Sequence, residues 1–268
     1  MSFLSLLFPK LPFPDSYTIS YSPPLKNIRC VLQYKGTAYQ GWQKQPSGPT
    51  IQGIVEQCIS RLTNETIKVK ASGRTDAGVH AVMQTINFFT HSSLRPNKFL
   101  QALNSLLPKD IAVIYADEVK TEFDAQFCVR SKTYAYFILN AKQASPFLKD
   151  YTWQIRKTLD IAAMQETSRS LIGEHNFAAF MASGSDIKNT IRNIFHLEIK
   201  EKGPFIIIEI EADGFLRHMA RNIVGTLVEI GLHKRKKQEI KSILASQDRK
   251  LAGINAPAKG LFLKEVKY

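Results

Sequence analysis

One short segment of this sequence combines residue types that could do chemistry. Residues 73–80, with the sequence GRTDAGVH, join two predicted strands and therefore form a loop at the end of a sheet. Gly73 and Gly78 can adopt backbone angles closed to other residues and let a ligand approach closely. Arg74 stands two residues before Asp76, and a nearby cation helps to keep a carboxylate ionised. An ionised, positioned carboxylate suits nucleophilic or general-base catalysis, so Asp76 is the candidate catalytic residue.

Two other interpretations of this loop stay open at the level of sequence. Asp-Ala-Gly is also common in ordinary turns, where the carboxylate accepts hydrogen bonds from nearby amides, and composition alone favours that interpretation. Alternatively, Asp76 and His80 could be ligands of a metal-dependent nuclease. That hypothesis is weak, because no second carboxylate is spaced to complete a metal site.

A predicted helix over residues 216–230 carries the next candidates. Arg217 and Arg221 are four residues apart, so both are expected to project from one flank of this helix. Two arginines on a helix usually mark a solvated basic flank. The functional alternative is that one of them reaches a carboxylate or a phosphate in a cleft, for which a guanidinium group is well suited.

A predicted strand places Lys132, Tyr134 and Tyr136 on one face. A cation beside aromatic rings can grip single-stranded bases through charge and stacking. Tyrosines in strands are mostly packing residues, and for Tyr136 that interpretation is preferred.

Two further segments could contact a polyanion. The loop over residues 34–45 mixes aromatic residues, amides and glycines, and it could either contact RNA or fold over the core. The basic run over residues 233–237, with the sequence HKRKK, follows a predicted helix. Phosphate contact and a solvated surface explain this run equally well.

The elements that must position these residues show the same order twice. In the first half, periodicity predicts strands over 27–34, 67–71, 84–89 and 111–115, and helices that begin near Ile51 and Pro96. This β-α-β-β-α-β order is the ferredoxin-like pattern. The second half repeats it with insertions, with strands over 133–139, 151–155, 191–199, 205–212 and 261–266 and helices over 158–172, 216–230 and 238–245. We predict an α+β fold of two ferredoxin-like (βαββαβ) units, whose mixed or antiparallel sheets face a shared cleft.

The same pattern suggests a division of the chain into three parts. Residues 1–26 are expected to be a flexible N-terminal extension, because several prolines interrupt it. Residues 27–122 are assigned to an N-terminal α/β domain with the Asp76 loop, and residues 123–268 to a C-terminal α/β domain. The start of the chain lacks the basic region and the small-residue cleavage site of a signal peptide. No segment is long and apolar enough to span a bilayer, so no membrane partner is expected.

Composition restricts the class of partner. The chain has 268 residues, of which 44% are hydrophobic and 22% charged, as in soluble globular proteins. Its formal net charge of +13 is typical of a protein that binds a polyanion, although charge does not distinguish RNA from DNA or an anionic membrane. Residues 126–268 carry net +9 and residues 1–125 net +4, so the second half is expected to contribute more phosphate contacts. The three cysteines match no metal-ligand spacing and fit a reducing, cytoplasmic setting.

Taken in order, these segments resemble the tRNA pseudouridine synthase A family. The loop over residues 73–81 is similar to the signature of that family, whose central Asp is catalytic. Agreement continues over residues 34–45, 50–53, 104–111, 123–136, 173–177, 219–231 and 256–261. The resemblance covers about residues 27–268, and several motifs in the same order make a chance match improbable.

The resemblance implies a role for each candidate residue. Asp76 would be the nucleophile or acid/base residue, Tyr134 would stack on the target base, and Arg221 would pair with Asp76. Arg74 would help to extrude the target nucleotide, because a stacked uridine must leave its helix before its glycosidic bond can be cut. The activity implied is isomerisation of uridine to pseudouridine in the anticodon stem-loop of tRNA (positions 38–40), by a homodimer that needs no metal and no cofactor.

Some positions depart from the pattern of that family. Lys35 and Asn176 stand where Asp is common, Lys132 stands where Arg is common, and Arg217 replaces a Tyr or His. None of these changes removes the catalytic set, and all concern contacts with RNA or the range of tRNAs accepted. The alternative class of function is a non-catalytic RNA-binding protein, for which Asp76 would be dispensable.

Overall fold

A computed structural model describes residues 24–185 and 187–268 of the chain. The predicted N-terminal extension over residues 1–26 lies outside this described part, except for its last three residues. Within the described residues the chain forms ten strands and five α-helices.

The first half has the predicted order of elements. It forms β1 (Lys26–Tyr34), α1 (Ile51–Thr63), β2 (Lys70–Ala71), β3 (His80–Thr90), α2 (Pro96–Leu106) and β4 (Ile111–Val119). Helix α1 begins where the side chain of Thr50 accepts a hydrogen bond from the amide of Gly53, and it ends at Asn64 in the left-handed conformation. Its apolar residues recur at helical spacing, so Ile51 and Val55 are buried on the same face.

The second half follows the prediction with three local differences. It forms β5 (Ser131–Asn140), β6 (Trp153–Ile155), α3 (Ile161–Ser168), β7 (Gly173–Asn176), β8 (Ile191–Lys202), β9 (Phe205–Ala212), α4 (Met219–Gly231), α5 (Glu239–Ser246) and β10 (Leu261–Lys267). Helix α3 begins later than expected, because Asp160 caps it by accepting a hydrogen bond from Ala163. Strand β7 was not predicted. Helix α4 begins at Met219 and not at Leu216, because His218 has a φ of 65°, which no α-helical residue adopts.

All ten strands belong to one sheet. Its order is β4-β1-β3-β10-β5-β9-β8-β7, with β2 beside β3 and β6 beside β5. Strand β10 runs parallel to β3 and antiparallel to β5. The α+β class and the mixed sheet are therefore confirmed. In one respect the architecture differs from the expectation of two sheets that face each other. Strand β10 pairs with β3 on one side and with β5 on the other, so it joins the strands of both halves into one sheet.

The joining strand is held by close packing behind it. Tyr136 on β5 is fully buried, and its hydroxyl donates a 2.8 Å hydrogen bond to the carbonyl of Pro257. This confirms Tyr136 as a packing residue. A Cβ on Gly260 would lie 2.6 Å from the Tyr136 ring, so the segment before β10 can approach β5 only because it has glycine there.

In the described part of the chain, no helix combines the length and the apolar character needed to cross a membrane.

Candidate active site

The loop that carries Asp76 leaves the sheet after β2 and returns to it at the first residue of β3. A second loop, which follows β1, supports it from one side. The amide of Trp42 donates to the carbonyl of Thr75 at 3.0 Å, and the hydroxyls of Tyr34 and Thr75 share a hydrogen bond of 2.8 Å. The amide of Gly78 donates to the carbonyl of Tyr39 at 3.3 Å. The three aromatic residues are buried, so this face of the loop over residues 34–45 packs inside the protein.

Two glycines allow these loops to come together. Gly41 has a φ of 89°, and a Cβ there would lie 2.6 Å from the carbonyl oxygen of Thr75. A Cβ on Gly36 would lie 1.9 Å from the carbonyl oxygen of Val79. Since real Cβ atoms do not approach backbone so closely, both positions require glycine for the Asp76 loop to hold its conformation.

Buried side chains fix the other end of the loop. The hydroxyl of Ser72 donates to Oε1 of Gln84 at 2.6 Å, and Nε2 of Gln84 donates to the carbonyl of Gly73 at 2.6 Å. The amide of Ser72 also donates to the carbonyl of Thr85 at 2.9 Å. Strand β3 thus restrains the loop immediately before Asp76.

The carboxylate of Asp76 meets the beginning of helix α4. Nη1 of Arg221 donates to Oδ2 of Asp76 at 3.0 Å, and Nε of Arg221 donates to the carbonyl of Ala256 at 2.7 Å. The side chain of Asp76 is 26% exposed and that of Arg221 is 13% exposed, so the carboxylate is accessible while its partner is largely covered. The pair joins residues from opposite halves of the chain.

A histidine approaches the same oxygen. Nε2 of His218 lies 3.7 Å from Oδ2 of Asp76, and Nδ1 of His218 lies 3.4 Å from the side-chain nitrogen of Asn255. Burial lowers the pKa of His218; the charge of Asp76 opposes this shift, and that of Arg221 adds to it. Sequence reasoning did not find His218. Its position three residues before Arg221 was a signal, but its approach to Asp76 depends on its left-handed backbone.

Tyr134 forms an aromatic wall beside the carboxylate. Its ring is buried and meets the ring of Phe215 edge to face, with centroids 4.8 Å apart. Burial raises the pKa of the Tyr134 phenol, and the negative charge of Asp76 adds to the increase.

Arg74 and Arg217 lie at the exposed rim. Both side chains are exposed, and within residues 24–185 and 187–268 neither forms an ion pair or a side-chain hydrogen bond. The expectation that Arg217 and Arg221 share a helix flank was wrong, because Arg217 precedes the left-handed residue that begins α4. Because Arg74 has no such partner among the described residues, it is free to reach toward a ligand from the loop that carries Asp76.

His80 faces away from this site. Its Nδ1 accepts from the amide of Gly36 at 3.1 Å, and its Nε2 donates to the carbonyls of Asp150 and Lys259 at 2.9 and 3.2 Å. Its ring stacks on Phe262, with centroids 4.6 Å apart. With both ring nitrogens engaged by backbone groups, His80 positions the sheet, and nothing in this geometry supports a nuclease that would use it with Asp76.

The side chains of this site suit a nucleotide as their ligand. They comprise an accessible carboxylate, an aromatic ring and unpaired arginines at the rim. The carboxylate can react with a sugar or a base, the ring can stack on a base, and the arginines can bind phosphates. Fold and site together are typical of α+β enzymes that act on a nucleotide within a nucleic acid.

Comparison with known proteins narrows this class. The family model described as tRNA pseudouridine synthase matches residues 31–128 and 168–268. A tRNA pseudouridine synthase A from Thermoanaerobacter sp. (strain X514) is 43% identical over 244 residues, which cover 91% of this chain and 100% of that protein. A tRNA pseudouridine synthase A 2 from Clostridium tetani (strain Massachusetts / E88) is 44% identical over 245 residues, covering 91% and 99%. The chain belongs to the tRNA pseudouridine synthase family.

Similarity to solved structures is more distant. A chain in the crystal structure of a Cbf5-Nop10-Gar1 complex gives a TM-score of 0.32 at 17% identity, over 75% of this chain and 45% of that chain. At this TM-score the likeness carries no weight beside the sequence match.

Proposed function

We propose that this protein isomerises uridine to pseudouridine in the anticodon stem-loop of tRNA, with Asp76 as the catalytic carboxylate. One observation carries the assignment: the only side-chain partners of Asp76 among the described residues, Arg221 and His218, hold an accessible carboxylate beside the buried ring of Tyr134. Membership of the tRNA pseudouridine synthase family supports the reaction.

The reaction requires little beyond a positioned carboxylate. The bond between C1′ of the ribose and N1 of uracil breaks, and a bond between C1′ and C5 forms. C5 loses its proton and N1 gains one, so atoms and electrons balance without an oxidant or a reductant. The carboxylate of Asp76 can attack the sugar or the uracil ring, and in either case Arg221 orients it.

The neighbouring residues supply the steps before chemistry. Arg74 is exposed on the same loop as Asp76, where it supports extrusion of the target nucleotide from its stack. Tyr134 is assigned the role of stacking on the extruded base once the base has entered the site, since this tyrosine is only 7% exposed in the free protein. The formal net charge of +13 supports binding of tRNA as the polyanion.

A homodimer belongs to the proposal. Strand β7 is the last strand of the sheet, and the neighbouring β8 exposes Ile191 and Phe195, each 50% exposed. Large apolar side chains next to an open sheet edge favour pairing with a second copy. Light scattering at micromolar concentration should give the mass of two chains, and a mass of one chain would contradict the dimer.

A cytoplasmic location also belongs to the proposal. The three cysteines are free thiols, which supports this location.

The test of the function is pseudouridine formation in an unmodified tRNA transcript, with a metal chelator present. Wild type should convert the uridines of the anticodon stem-loop, and Asp76→Asn should bind the RNA with nearly the same affinity but form no product. Normal turnover by Asp76→Asn would refute the assignment of the site. Tight binding without product from wild type would instead indicate a non-catalytic RNA-binding protein.

A further inference from the structure

Lys132 is a cation without a counter-ion beside the candidate active site. It lies on β5 two residues before Tyr134, and so on the same face of the sheet. Its Nζ lies 3.0 Å from the place that a Cβ on Gly73 would occupy, next to the start of the Asp76 loop. Burial lowers the pKa of Lys132. Within residues 24–185 and 187–268, no carboxylate pairs with its ammonium group.

Arg192 on β8 adds a second cation on the same face of the sheet. The backbone register aligns Lys132 with Ala212 and Ala212 with Ile194, which puts Arg192 on the face that carries Lys132. Nε of Arg192 lies 3.2 Å from the place that a Cβ on Gly214 would occupy. The positive charge of Arg192 further lowers the pKa of Lys132, so the two groups repel each other.

The bonds that Arg192 makes do not offset this repulsion. Its Nη1 donates to the carbonyls of Asn189 and Ile191, at 3.1 and 2.5 Å, and both acceptors are neutral. Two other lysines of the sheet are paired with carboxylates: Lys264 with Glu209 at 2.6 Å, and Lys267 with Glu211 at 2.8 Å. Glu209 and Glu211 therefore serve other partners, and Oδ1 of Asp213 accepts from the amide of Asn193 at 3.0 Å.

Two cations held together without an anion are unfavourable in the free protein, because a partly buried charge needs a partner. A ligand that brings one negative charge between them would relieve both the desolvation of Lys132 and the repulsion from Arg192. Gly73 and Gly214 give the two side chains their room, because a Cβ at these positions would lie 3.0 Å from Nζ of Lys132 and 3.2 Å from Nε of Arg192. A phosphodiester suits this pair of cations, because guanidinium and ammonium groups both bind phosphate oxygens.

We infer that Lys132 and Arg192 together bind one phosphodiester of the RNA strand, next to the nucleotide whose base reaches Tyr134. Two residues along a strand span roughly 7 Å, so a group at Lys132 lies beside the base at Tyr134 and not on it. This phosphate clamp rests on the proposed function, since it takes RNA as the ligand. It would hold the strand on one side of the extruded nucleotide and so set which uridine enters the site.

The first experiment measures the affinity of full-length protein for an unmodified anticodon stem-loop RNA at several salt concentrations. Lys132→Gln and Arg192→Gln should each weaken binding severalfold and lower the salt slope by about one. The double variant should lower the slope by about one as well, because both side chains serve one phosphate. Lys264→Gln removes the same charge from an exposed ion pair on β10, and its slope should equal that of wild type.

The second experiment removes the charge from the RNA. A methylphosphonate is placed on either side of the target uridine, one position at a time. At one position it should weaken binding of wild type severalfold but leave binding by Lys132→Gln unchanged. A slope that stays at the wild-type value in both single variants, or methylphosphonate effects equal in wild type and Lys132→Gln at both positions, would overturn the clamp.

Two controls separate the clamp from folding and from the proposed function. Lys132→Met should melt at the wild-type temperature or above it without RNA, because it removes an unpaired, partly buried charge; a large loss of stability would assign Lys132 a structural role and overturn the clamp. The same RNA is assayed for pseudouridine with wild type. If wild type forms product and the slopes do not change, the clamp fails alone; if wild type binds without product, the catalytic proposal fails, and the slopes still decide the clamp.

Discussion

The side chain of Arg221 is bonded at the same time to the carboxylate of Asp76 and to the backbone of Ala256. The distance from Nη1 to Oδ2 of Asp76 is 3.0 Å, and that from Nε to the carbonyl oxygen of Ala256 is 2.7 Å. The amide of Ala256 in turn donates to the carbonyl of Arg221 at 3.2 Å. The guanidinium is therefore fixed by the second half of the chain, and it orients a carboxylate that the first half provides.

These two hydrogen bonds of Arg221 predict that a positive charge alone at this position does not keep Asp76 oriented for catalysis. Arg221→Lys keeps the charge but cannot donate from two nitrogens in a rigid plane. A misplacement of about 1 Å can cost about 100-fold in rate, so we expect kcat to fall by that order. Affinity for tRNA should change little, since the side chain is largely covered. Single-turnover kinetics and filter binding measure the two quantities.

A matched control for this variant is Arg169→Lys, at an exposed arginine outside the site, where kcat should equal that of wild type. If Arg221→Lys retained the wild-type rate, the orientation of Asp76 would not depend on the bond to Ala256. A parallel loss of rate and RNA affinity would instead place Arg221 on the RNA.

The conformation of the Asp76 loop depends on Gly41, which gives a second prediction. In Gly41→Ala, a Cβ would face the carbonyl oxygen of Thr75 at 2.6 Å, at a φ of 89°. The left-handed backbone alone costs about 1–2 kcal/mol with a Cβ, and the clash must also move the loop. We expect lower thermal stability together with a loss of kcat that exceeds any loss of RNA affinity.

Gly203→Ala separates the two effects. Gly203 has a φ of 59°, and nothing lies within 4 Å of the place where its Cβ would be. This variant should show the backbone cost in its melting temperature with normal kcat. If Gly41→Ala matched Gly203→Ala in both stability and kcat, close contact with Thr75 would have no role in positioning Asp76.

The order of most elements could be predicted from sequence, because each element has a pattern within its own residues. Alternating residues mark β1, and apolar residues at helical spacing after the capping residue Thr50 mark α1. Strand β7 was not predicted, because its four residues, GEHN, show no alternation of apolar and polar residues. The joining of all strands into a single sheet was not predicted either. Strand β10 lies between β3 and β5, far from both in sequence, and no local pattern indicates which strands will pair.

The site shows the same division between local and tertiary information. Loop composition made Asp76 a candidate but favoured an ordinary turn, and the family resemblance implied its catalytic role and its pairing with Arg221. The approach of His218 to Asp76 was not foreseen, because it depends on a φ of 65° at the beginning of α4. The clustering of Lys132 and Arg192 likewise results from strand pairing over long separations, which spacing along the chain does not encode.

The acid sensitivity of the fold should depend in part on His80. Burial lowers the pKa of His80, although hydrogen bonds to the carbonyls of Asp150 and Lys259 oppose the shift and nearby Lys35 favours it. Below the usual pKa of 6.5, the unfolded chain therefore binds a proton that the folded state resists. The stability contributed by neutral His80 is complete above that pH and is lost as the pH falls below it.

Denaturant unfolding at pH 7.5 and 5.5 tests this prediction. The free energy of unfolding of wild type should fall between the two, and that of His80→Gln should fall less, because the variant lacks the titrating group. The pKa of His218 is also lowered, so His218→Gln should act in the same direction and serves as a comparison. An equal fall in wild type and His80→Gln would mean that His80 does not titrate in this range.

In the basic run over residues 233–237, some cations are paired with carboxylates and others are not. Arg235 donates to Glu229 at 2.5 Å, and Lys237 is paired with Glu166. Lys234 and Lys236 are exposed, and within residues 24–185 and 187–268 their ammonium groups have no carboxylate partner. The run as a whole was equally compatible with phosphate contact and with a solvated surface; only its two unpaired lysines are now expected to bind phosphate.

Lys234→Gln and Lys236→Gln should therefore weaken tRNA binding, and each should lower the salt slope by about one for every phosphate that the variant no longer binds. Lys237→Gln should leave the slope unchanged, because its charge is already paired. Arg235→Gln should lower the melting temperature more than RNA affinity, since it leaves Glu229, whose side chain is only 15% exposed, without its ion pair. Unchanged slopes in both lysine variants would show that the run is solvated surface.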